Sequence, residues 1–152
     1  DPHEGLITRI DVSEIPLLVV IPEAVRKPST KAMRSVVPDT VTLRDALVNV
    51  SHAPLVALGL MRGDPLLLGR GIEGDKLVEP RRAPLYSHYH TVKDVLKRLG
   101  ALGVALCGAG PSMLAVFNGR PPVTEVEEEL RRLGVRALVC EAHPINKGVT
   151  EL

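Results

Sequence analysis

The sequence is poor in aromatic residues and has almost no excess charge of either sign. Tryptophan is absent, and Phe117, Tyr86 and Tyr89 are the only Phe or Tyr residues, so the chain offers no platform on which nucleic-acid bases could stack. The 19 basic and 18 acidic residues leave a net charge of +1. This balance gives no electrostatic reason to expect a nucleic acid or an anionic membrane as a partner.

Long apolar runs, targeting signals and paired cysteines are also missing. No run approaches the roughly 18 apolar residues that span a bilayer, and the first ten residues, DPHEGLITRI, lack the basic and apolar regions of a signal peptide. Cys107 and Cys140 each end an apolar run, which predicts two buried, unreactive thiols. These features predict a cytoplasmic protein without a membrane segment.

Thermolabile amides are rare as well. Glutamine is absent and only three asparagines occur, while Arg outnumbers Lys 13 to 6 and Pro reaches 13. This composition is typical of proteins from thermophiles.

What the chain does contain is enough apolar side chain for one sizeable core. Apolar residues make up 45 % of the 152, with 22 Leu and 20 Val, so a disordered tail is excluded. The length predicts a single domain over residues 1–152.

The hydrophobic pattern predicts an α+β fold. Strands are expected at residues 15–21, 103–107, 113–117 and 135–142. Helices are expected after Ser29, from Thr42 with a kink or an interruption at Pro54, and at residues 66–68, 91–99 and 124–133. Gly69, Gly71 and Gly74 predict a loose stretch. This order matches a ferredoxin-like split β-α-β sandwich with a four-stranded antiparallel sheet, helices on one face, and extra helices in the first crossover.

The glycine-rich segment at residues 108–112, GAGPS, is the most informative stretch for chemistry. Two glycines allow positive φ angles and close approach of a ligand, and successive amides in such a turn can bind an anion. Ser112 adds a hydroxyl donor. The segment is not a Walker A loop, because no GK[ST] follows, and a purely structural hairpin remains an alternative.

Arginines supply candidate anion ligands. Arg81 and Arg82 follow Glu79-Pro80, and their planar forks suit a carboxylate or phosphate. Arg34 lies four residues after Thr30, so both side chains would share a helix face and could bind one polar group. Exposed surface charge remains the alternative for all three arginines.

The remaining polar residues do not form a recognisable catalytic or metal motif. His88 and His90 flank Tyr89 at a spacing that would place both on one side of a strand, but a third metal ligand at suitable spacing is missing. Paired carboxylates and a Ser-His-Asp arrangement are also missing. The sequence therefore predicts no metal site and no catalytic residue of its own.

Taken together, these segments resemble a known family. The segment GVALCGAGPSMLAVF resembles the third conserved motif of the GHMP small-molecule kinases. Four further pieces narrow the resemblance to the homoserine kinases within that superfamily, and from about Ile15 onward it covers nearly the whole chain. In order they are VVIPE, STKAMRSVVP, RDALVNVSHAPLVALGLMRGD and DKLVEPRRAPL.

The resemblance implies a set of site residues. Arg82 matches an arginine that binds the carboxylate of homoserine, and Arg34 and Thr30 match further substrate-binding positions. The turn that closes on substrate and phosphates is matched by Gly108, Ala109, Gly110 and Ser112. The implied activity is ATP-dependent phosphorylation of homoserine in threonine biosynthesis, with ATP and Mg²⁺ as cofactors.

One departure from the family is large. GHMP kinases carry an N-terminal domain with a P-x-x-x-G-L-G-S-S-A type loop that binds ATP, and nothing like it occurs here. The resemblance therefore implies the fold of a GHMP kinase C-terminal domain, whose partners are an N-terminal GHMP kinase domain, homoserine and, in one arrangement, a second copy in a homodimer. Two alternatives remain open: a shikimate- or mevalonate-type kinase, and a free-standing amino-acid-binding regulatory module.

Overall fold

The apolar runs of the sequence form one four-stranded sheet in the computed structural model, which describes residues 4–5, 8–23 and 29–148. The strands run antiparallel in the order β2-β3-β1-β4. This order is that of a ferredoxin-like sandwich, so the predicted fold class is confirmed. The strands are β1 (Leu17–Pro22), β2 (Gly103–Leu106), β3 (Met113–Val116) and β4 (Ala137–Ala142).

Most of the helices lie in the crossover from β1 to β2, as predicted. A 3₁₀ turn at Ala83–Leu85 follows the fourth of them. The helices are α1 (Thr30–Ser35), α2 (Leu43–Arg62), α3 (Pro65–Ile72), α4 (Glu79–Arg82), α5 (Tyr89–Arg98) and, between β3 and β4, α6 (Val123–Arg132).

The main core lies between one face of the sheet and helices α5 and α6. Because side chains alternate along a strand, Leu18 and Val20 of β1 point into this layer, where both are fully buried. Val92 of α5 and Val126 of α6 meet them there, also fully buried. Burial of these aliphatic groups stabilises the fold by about 1.5–3 kcal/mol per side chain.

The opposite face of the sheet is covered in part by α2 and α3. Leu17 of β1 and Val116 of β3 point to this side and form a second, smaller cluster with Leu68 of α3. The expectation of helices on one face was therefore wrong: the extra helices of the crossover form a third layer. The apolar residues at positions 55–72 fill this layer because a sheet of aliphatic strands has two faces to bury.

Glycines allow this third layer to approach closely. A Cβ atom on Gly103 of β2 would lie 2.2 Å from the carbonyl oxygen of Gly69, and one on Gly71 would lie 2.8 Å from the amide nitrogen of Val56. Gly69 and Gly71 thus belong to helix α3 and to its contacts with β2 and α2. The prediction that they loosen the chain was wrong, because here the missing side chain serves packing.

Helix α2 continues through Pro54. Its start is as predicted, since the Thr42 hydroxyl accepts a hydrogen bond from the Asp45 amide at 3.1 Å. The expected interruption at Pro54 is not observed, and α2 is one helix from Leu43 to Arg62. Pro54 and Val50 are both exposed, so water can satisfy the Val50 carbonyl that the missing amide leaves unpaired.

The described residues contain no helix that is both long and apolar enough to cross a membrane.

The close contact between Gly69 and Gly103 predicts that a side chain at Gly103 would destabilise the fold. Gly103→Ala should lower the free energy of unfolding by about 1–3 kcal/mol, because the new methyl group meets backbone that cannot move aside. Gly148→Ala is the matched control, since a Cβ there meets nothing within 4 Å and should change stability by no more than about 0.5 kcal/mol. Urea unfolding of both variants measures the difference, and equal midpoints would contradict the packing role.

Candidate functional site

Asp75 fixes the start of helix α4. Its Oδ1 accepts a hydrogen bond from the Leu77 amide at 2.8 Å and its Oδ2 accepts one from the Glu79 amide at 2.7 Å. The Asn49 side-chain amide of α2 donates to Oδ1 at 2.9 Å. Burial raises the pKa of Asp75, but these hydrogen bonds lower it by more, so the net pKa lies below its ordinary value.

Glu79, the first residue of α4, joins this helix to the edge strand β2. Its side chain is only 12 % exposed, and its Oε2 accepts from the Leu106 amide at 3.1 Å. Its Oε1 accepts from the Tyr89 hydroxyl at 2.5 Å and lies 3.5 Å from the Lys93 ammonium. Burial, then this hydrogen bond, raises the pKa of Tyr89, so Tyr89 remains a protonated donor.

Arg82 lies one helical turn after Glu79 and connects two distant segments. Its Nε donates to the Met33 carbonyl at 3.3 Å, and its Nη1 donates to the Gly108 carbonyl at 3.1 Å. The guanidinium therefore bridges α1 and the glycine-rich turn. A guanidinium has five N–H donors, so three remain for a ligand at this half-buried position.

The glycine-rich turn presents free amide groups. Gly108 and Gly110 have φ angles of 56° and 77°, the left-handed region that glycine adopts without strain. The Gly110 amide donates to the Cys107 carbonyl at 2.9 Å, whereas within the described residues the amides of Gly108 and Ala109 donate to no backbone or side-chain group. A Cβ on Gly108 would meet nothing within 4 Å. This open side of the turn can bind an anion.

Two residues behind the turn were missed at the sequence level. The Tyr86 hydroxyl donates to the Ala109 carbonyl at 2.6 Å. His88 is 6 % exposed, its Nε2 lies 3.4 Å from the Pro111 carbonyl oxygen, and its Nδ1 has no hydrogen-bond partner. The scarcity of aromatic residues could have pointed to Tyr86. In a chain with only two tyrosines, each is a candidate for a position that needs both a ring and a hydrogen-bond donor.

The predicted residues of α1 lie next to this site. Ser29 caps the helix by accepting from the Ala32 amide at 3.1 Å. Thr30 has a helical backbone, but its side chain lies outside the described residues. Arg34 is exposed and directly follows Met33, whose carbonyl accepts from Arg82. The structure thus brings α1, Arg82 and the turn together.

Ser112 closes the turn through its backbone. Its carbonyl accepts from the Cys107 amide at 2.8 Å. The Ser112 hydroxyl makes no hydrogen bond to any other described residue, so it is available to a ligand.

The cysteine and histidine predictions need correction. Cys107 is exposed and Cys140 is half-buried, because both lie near sheet edges rather than in the core. The protein around the Cys107 sulfur, and then the Glu79 carboxylate, raise the pKa of its thiol. His88 and His90 begin helix α5 rather than a strand, so one is buried and the other exposed.

A metal site is not formed by the residues that the structure describes. No group of three or more His, Cys, Asp or Glu side chains is close enough to hold an ion among them. These residues do not fit a Mg²⁺ site, whereas the free amides of the turn fit an oxygen of a phosphate group.

Comparison with known proteins identifies related sequences and folds. A family model described as GHMP kinases C terminal matches residues 56–136. A homoserine kinase from Natronomonas pharaonis is 41 % identical over 116 residues, 76 % of this chain and 38 % of that protein. A homoserine kinase from Pyrococcus abyssi is 36 % identical over 132 residues, 86 % of this chain and 44 % of that protein. The chain thus spans well under half the length of these curated relatives.

Solved structures share the fold. The crystal structure of homoserine kinase from Cytophaga hutchinsonii superposes with a TM-score of 0.76 at 23 % identity, covering 89 % of this chain and 44 % of that one. Mevalonate kinase from L. major superposes with a TM-score of 0.62 at 16 % identity, covering 81 % and 40 %. At these identities the superpositions concern architecture alone.

The hydrogen bonds of Asp75 predict a pH-dependent stability. Asp75→Asn should lower the free energy of unfolding by about 1–3 kcal/mol at pH 7, because an amide cannot accept at both oxygen positions. The folded pKa lies below the unfolded value, so the stabilisation is present above the unfolded pKa and is lost as pH falls through the folded one. The difference between the two proteins should therefore shrink below about pH 4.

Denaturant unfolding between neutral and acidic pH measures this difference. Asp94→Asn is the control, since Asp94 is an exposed residue of α5 and its carboxylate makes no hydrogen bond to the described residues. A pH-independent difference for Asp75→Asn would rule out its charge as the cause.

Proposed function

The chain belongs to the GHMP kinases, whose C-terminal domain it matches, and we propose that it is the substrate-binding half of a homoserine kinase. The proposed enzyme transfers the γ-phosphate of ATP to the hydroxyl of L-homoserine, forming O-phosphohomoserine for threonine biosynthesis in the cytoplasm. The observation that carries this proposal is the Arg82 guanidinium, which contacts both α1 and the glycine-rich turn. Relatives at 36–41 % identity are named homoserine kinases.

The amino-acid carboxylate would bind to Arg82. Two of its five N–H groups bind protein carbonyls, which fixes the guanidinium plane and leaves its remaining donors for a charge-assisted, bidentate contact. Arg34 and Thr30 belong to the neighbouring helix α1, and the resemblance to the family implies that they would add a second cation and a hydroxyl. Two cations and a hydroxyl suit the carboxylate of an amino-acid substrate.

The phosphoryl group would approach the open side of the glycine-rich turn. There the free amides of Gly108 and Ala109 and the Ser112 hydroxyl can donate to its oxygens. In the reaction the substrate hydroxyl oxygen bonds to the γ-phosphorus, the bond to the bridging oxygen of ADP breaks, and the hydroxyl proton is released. Positioning and charge stabilisation provide most of the catalysis in such transfers.

The nucleotide and Mg²⁺ would be held mainly by a second domain. The described residues offer neither an acidic cluster for the ion nor a loop of the type that binds ATP in this superfamily. We therefore assign to this chain the binding of the substrate and the contact between the glycine-rich turn and the phosphoryl group. We assign to none of its residues the exchange of the reacting proton.

An exposed apolar stripe supports the presence of a covering partner. Helix α2 exposes large apolar side chains at spacings of three, four and eight residues, which places them along one side of the helix. A monomeric surface rarely shows such a contiguous patch. An N-terminal GHMP kinase domain or a second copy in a homodimer would bury it. The stripe comprises Leu43, Leu47, Val50, Leu58 and Met61, which are 39–75 % exposed.

The first test concerns the chain by itself. We expect the 152 residues alone to show no ATP-dependent phosphorylation of homoserine, because the described residues form no acidic cluster for the ion and the sequence has no ATP-binding loop of the superfamily type. ADP release in a coupled assay measures this, with a full-length enzyme as the positive control. Robust turnover by the chain alone would contradict its assignment as half of the enzyme.

The second test concerns Arg82 in the full-length enzyme. Arg82→Ala should lower kcat/KM for homoserine by about 2–4 kcal/mol of transition-state stabilisation, the cost of leaving a desolvated carboxylate unpaired. Arg81→Ala is the matched control, since Arg81 is exposed and its side chain makes no hydrogen bond to the described residues. Steady-state kinetics with homoserine, shikimate and mevalonate compare the variants. Equal kcat/KM values for the two variants would show that Arg82 is a surface charge without a role in substrate binding. Turnover of shikimate or mevalonate, but not of homoserine, would show that the enzyme has a different substrate.

A further inference from the structure

Three side chains of the segment at residues 82–88 face three carbonyl groups of the glycine-rich turn. Arg82 donates to the Gly108 carbonyl at 3.1 Å and Tyr86 donates to the Ala109 carbonyl at 2.6 Å. His88 Nε2 lies 3.4 Å from the Pro111 carbonyl oxygen. We call these three side chains the carbonyl clamp. The third contact is long, so Arg82 and Tyr86 provide most of the hold on the turn.

Holding a carbonyl also fixes the amide that follows it. In a planar trans peptide unit the C=O and the next N–H point in opposite directions. The Cys107 carbonyl is held by the Gly110 amide at 2.9 Å, so the Gly108 N–H is directed away from that bond. The Gly108 carbonyl is held by Arg82, so the Ala109 N–H is directed away from the clamp.

The third peptide unit completes the chain of constraints. Tyr86 holds the Ala109 carbonyl, which orients the Gly110 N–H towards its partner, the Cys107 carbonyl. Without the Tyr86 bond, this unit could rotate and release the Gly110–Cys107 bond that orients the Gly108 amide. The directions of the two free amides thus depend on a hydroxyl that touches neither of them.

Tyr86 is itself held rigidly. It is 2 % exposed, and its hydroxyl also lies 3.7 Å from the Met33 sulfur. A Cβ on Gly110 would come within 2.5 Å of its ring, so ring and turn are in direct contact. Burial raises the pKa of Tyr86 more than Arg82 lowers it, and the hydroxyl therefore stays a donor.

We propose that Tyr86 is a positioning residue for phosphoryl transfer: it fixes the peptide units at residues 108–110 so that the Gly108 and Ala109 amides donate to an oxygen of the transferring phosphoryl group. The proposal rests on the proposed function, because it gives the turn its ligand. Tyr86 does not touch the substrate and acts through the turn.

The test uses Tyr86→Phe in the full-length enzyme. This variant keeps the ring contact with Gly110 and removes only the hydroxyl. We expect kcat to fall about five- to tenfold, the effect of one lost hydrogen bond on the transition state. KM for homoserine should change less than about twofold, because the Arg82 carboxylate site is intact. Hydrogen exchange of the Gly110 amide, which donates to the Cys107 carbonyl, should become faster.

Phe117→Leu is the control for stability alone. Phe117 is a buried core residue that follows β3, at the end of that strand away from the turn. The substitution should lower the melting temperature at least as much as Tyr86→Phe does, with kcat unchanged. If both variants lose kcat in proportion to stability, Tyr86 has a structural role only and the proposal is overturned.

The remaining outcomes separate the clamp from the proposed function. Unchanged kcat in Tyr86→Phe, or a rise in KM at constant kcat, overturns the positioning role while the function stands. Unchanged exchange of the Gly110 amide shows that the hydroxyl does not fix the turn and overturns the positioning role. Absence of homoserine phosphorylation by the unmodified full-length enzyme overturns the proposed function and with it the role, whatever the exchange rates.

Discussion

The arrangement of the site depends on one guanidinium group. Arg82 donates to a carbonyl 49 residues earlier in the chain and to one 26 residues later, and so holds α1 and the glycine-rich turn at a fixed separation. A lysine could not do this, because a single ammonium lacks the planar fork that reaches two carbonyls and keeps further donors free. This contact brings α1 and the glycine-rich turn together.

Arg82 can act in this way because the helix that carries it is fixed at its start. The edge strand β2 has amides with no strand partner on its outer side, and such edges need protection. Glu79 accepts from the Leu106 amide at 3.1 Å, and Glu73 accepts from the Val104 amide at 3.2 Å. The Glu79 carboxylate therefore both protects the sheet edge and positions α4, the helix that carries Arg82. For this reason, loss of the edge contact would also displace Arg82.

The sequence predicted what depends on local pattern. Every strand lies within two residues of its predicted bounds, because a short apolar run bounded by turn residues is a local property, and the glycine-rich turn followed from its composition. The contacts of Tyr86 and Glu79 could not be predicted, since they join residues 23 and 27 positions apart through backbone atoms, which leave no mark in the side-chain pattern. The loose stretch predicted at Gly69 and the interruption predicted at Pro54 are not observed, for a related reason. The effect of a missing Cβ atom or a missing amide hydrogen on the fold depends on which groups of the folded chain lie next to it.

The scarcity of aromatic residues acquires a physical explanation from this geometry. Leu and Val fill most of the core, and glycines bring α3 against β2 so closely that a ring would not fit between them. Tyr86 and Tyr89 are both buried, yet each hydroxyl reaches a polar group of the site region, the Ala109 carbonyl and the Glu79 carboxylate. Tyrosine combines a large apolar body with a donor at its tip. From a core of small aliphatic side chains, Tyr86 can therefore hold the remote glycine-rich turn, and Tyr89 can hold the Glu79 carboxylate of α4.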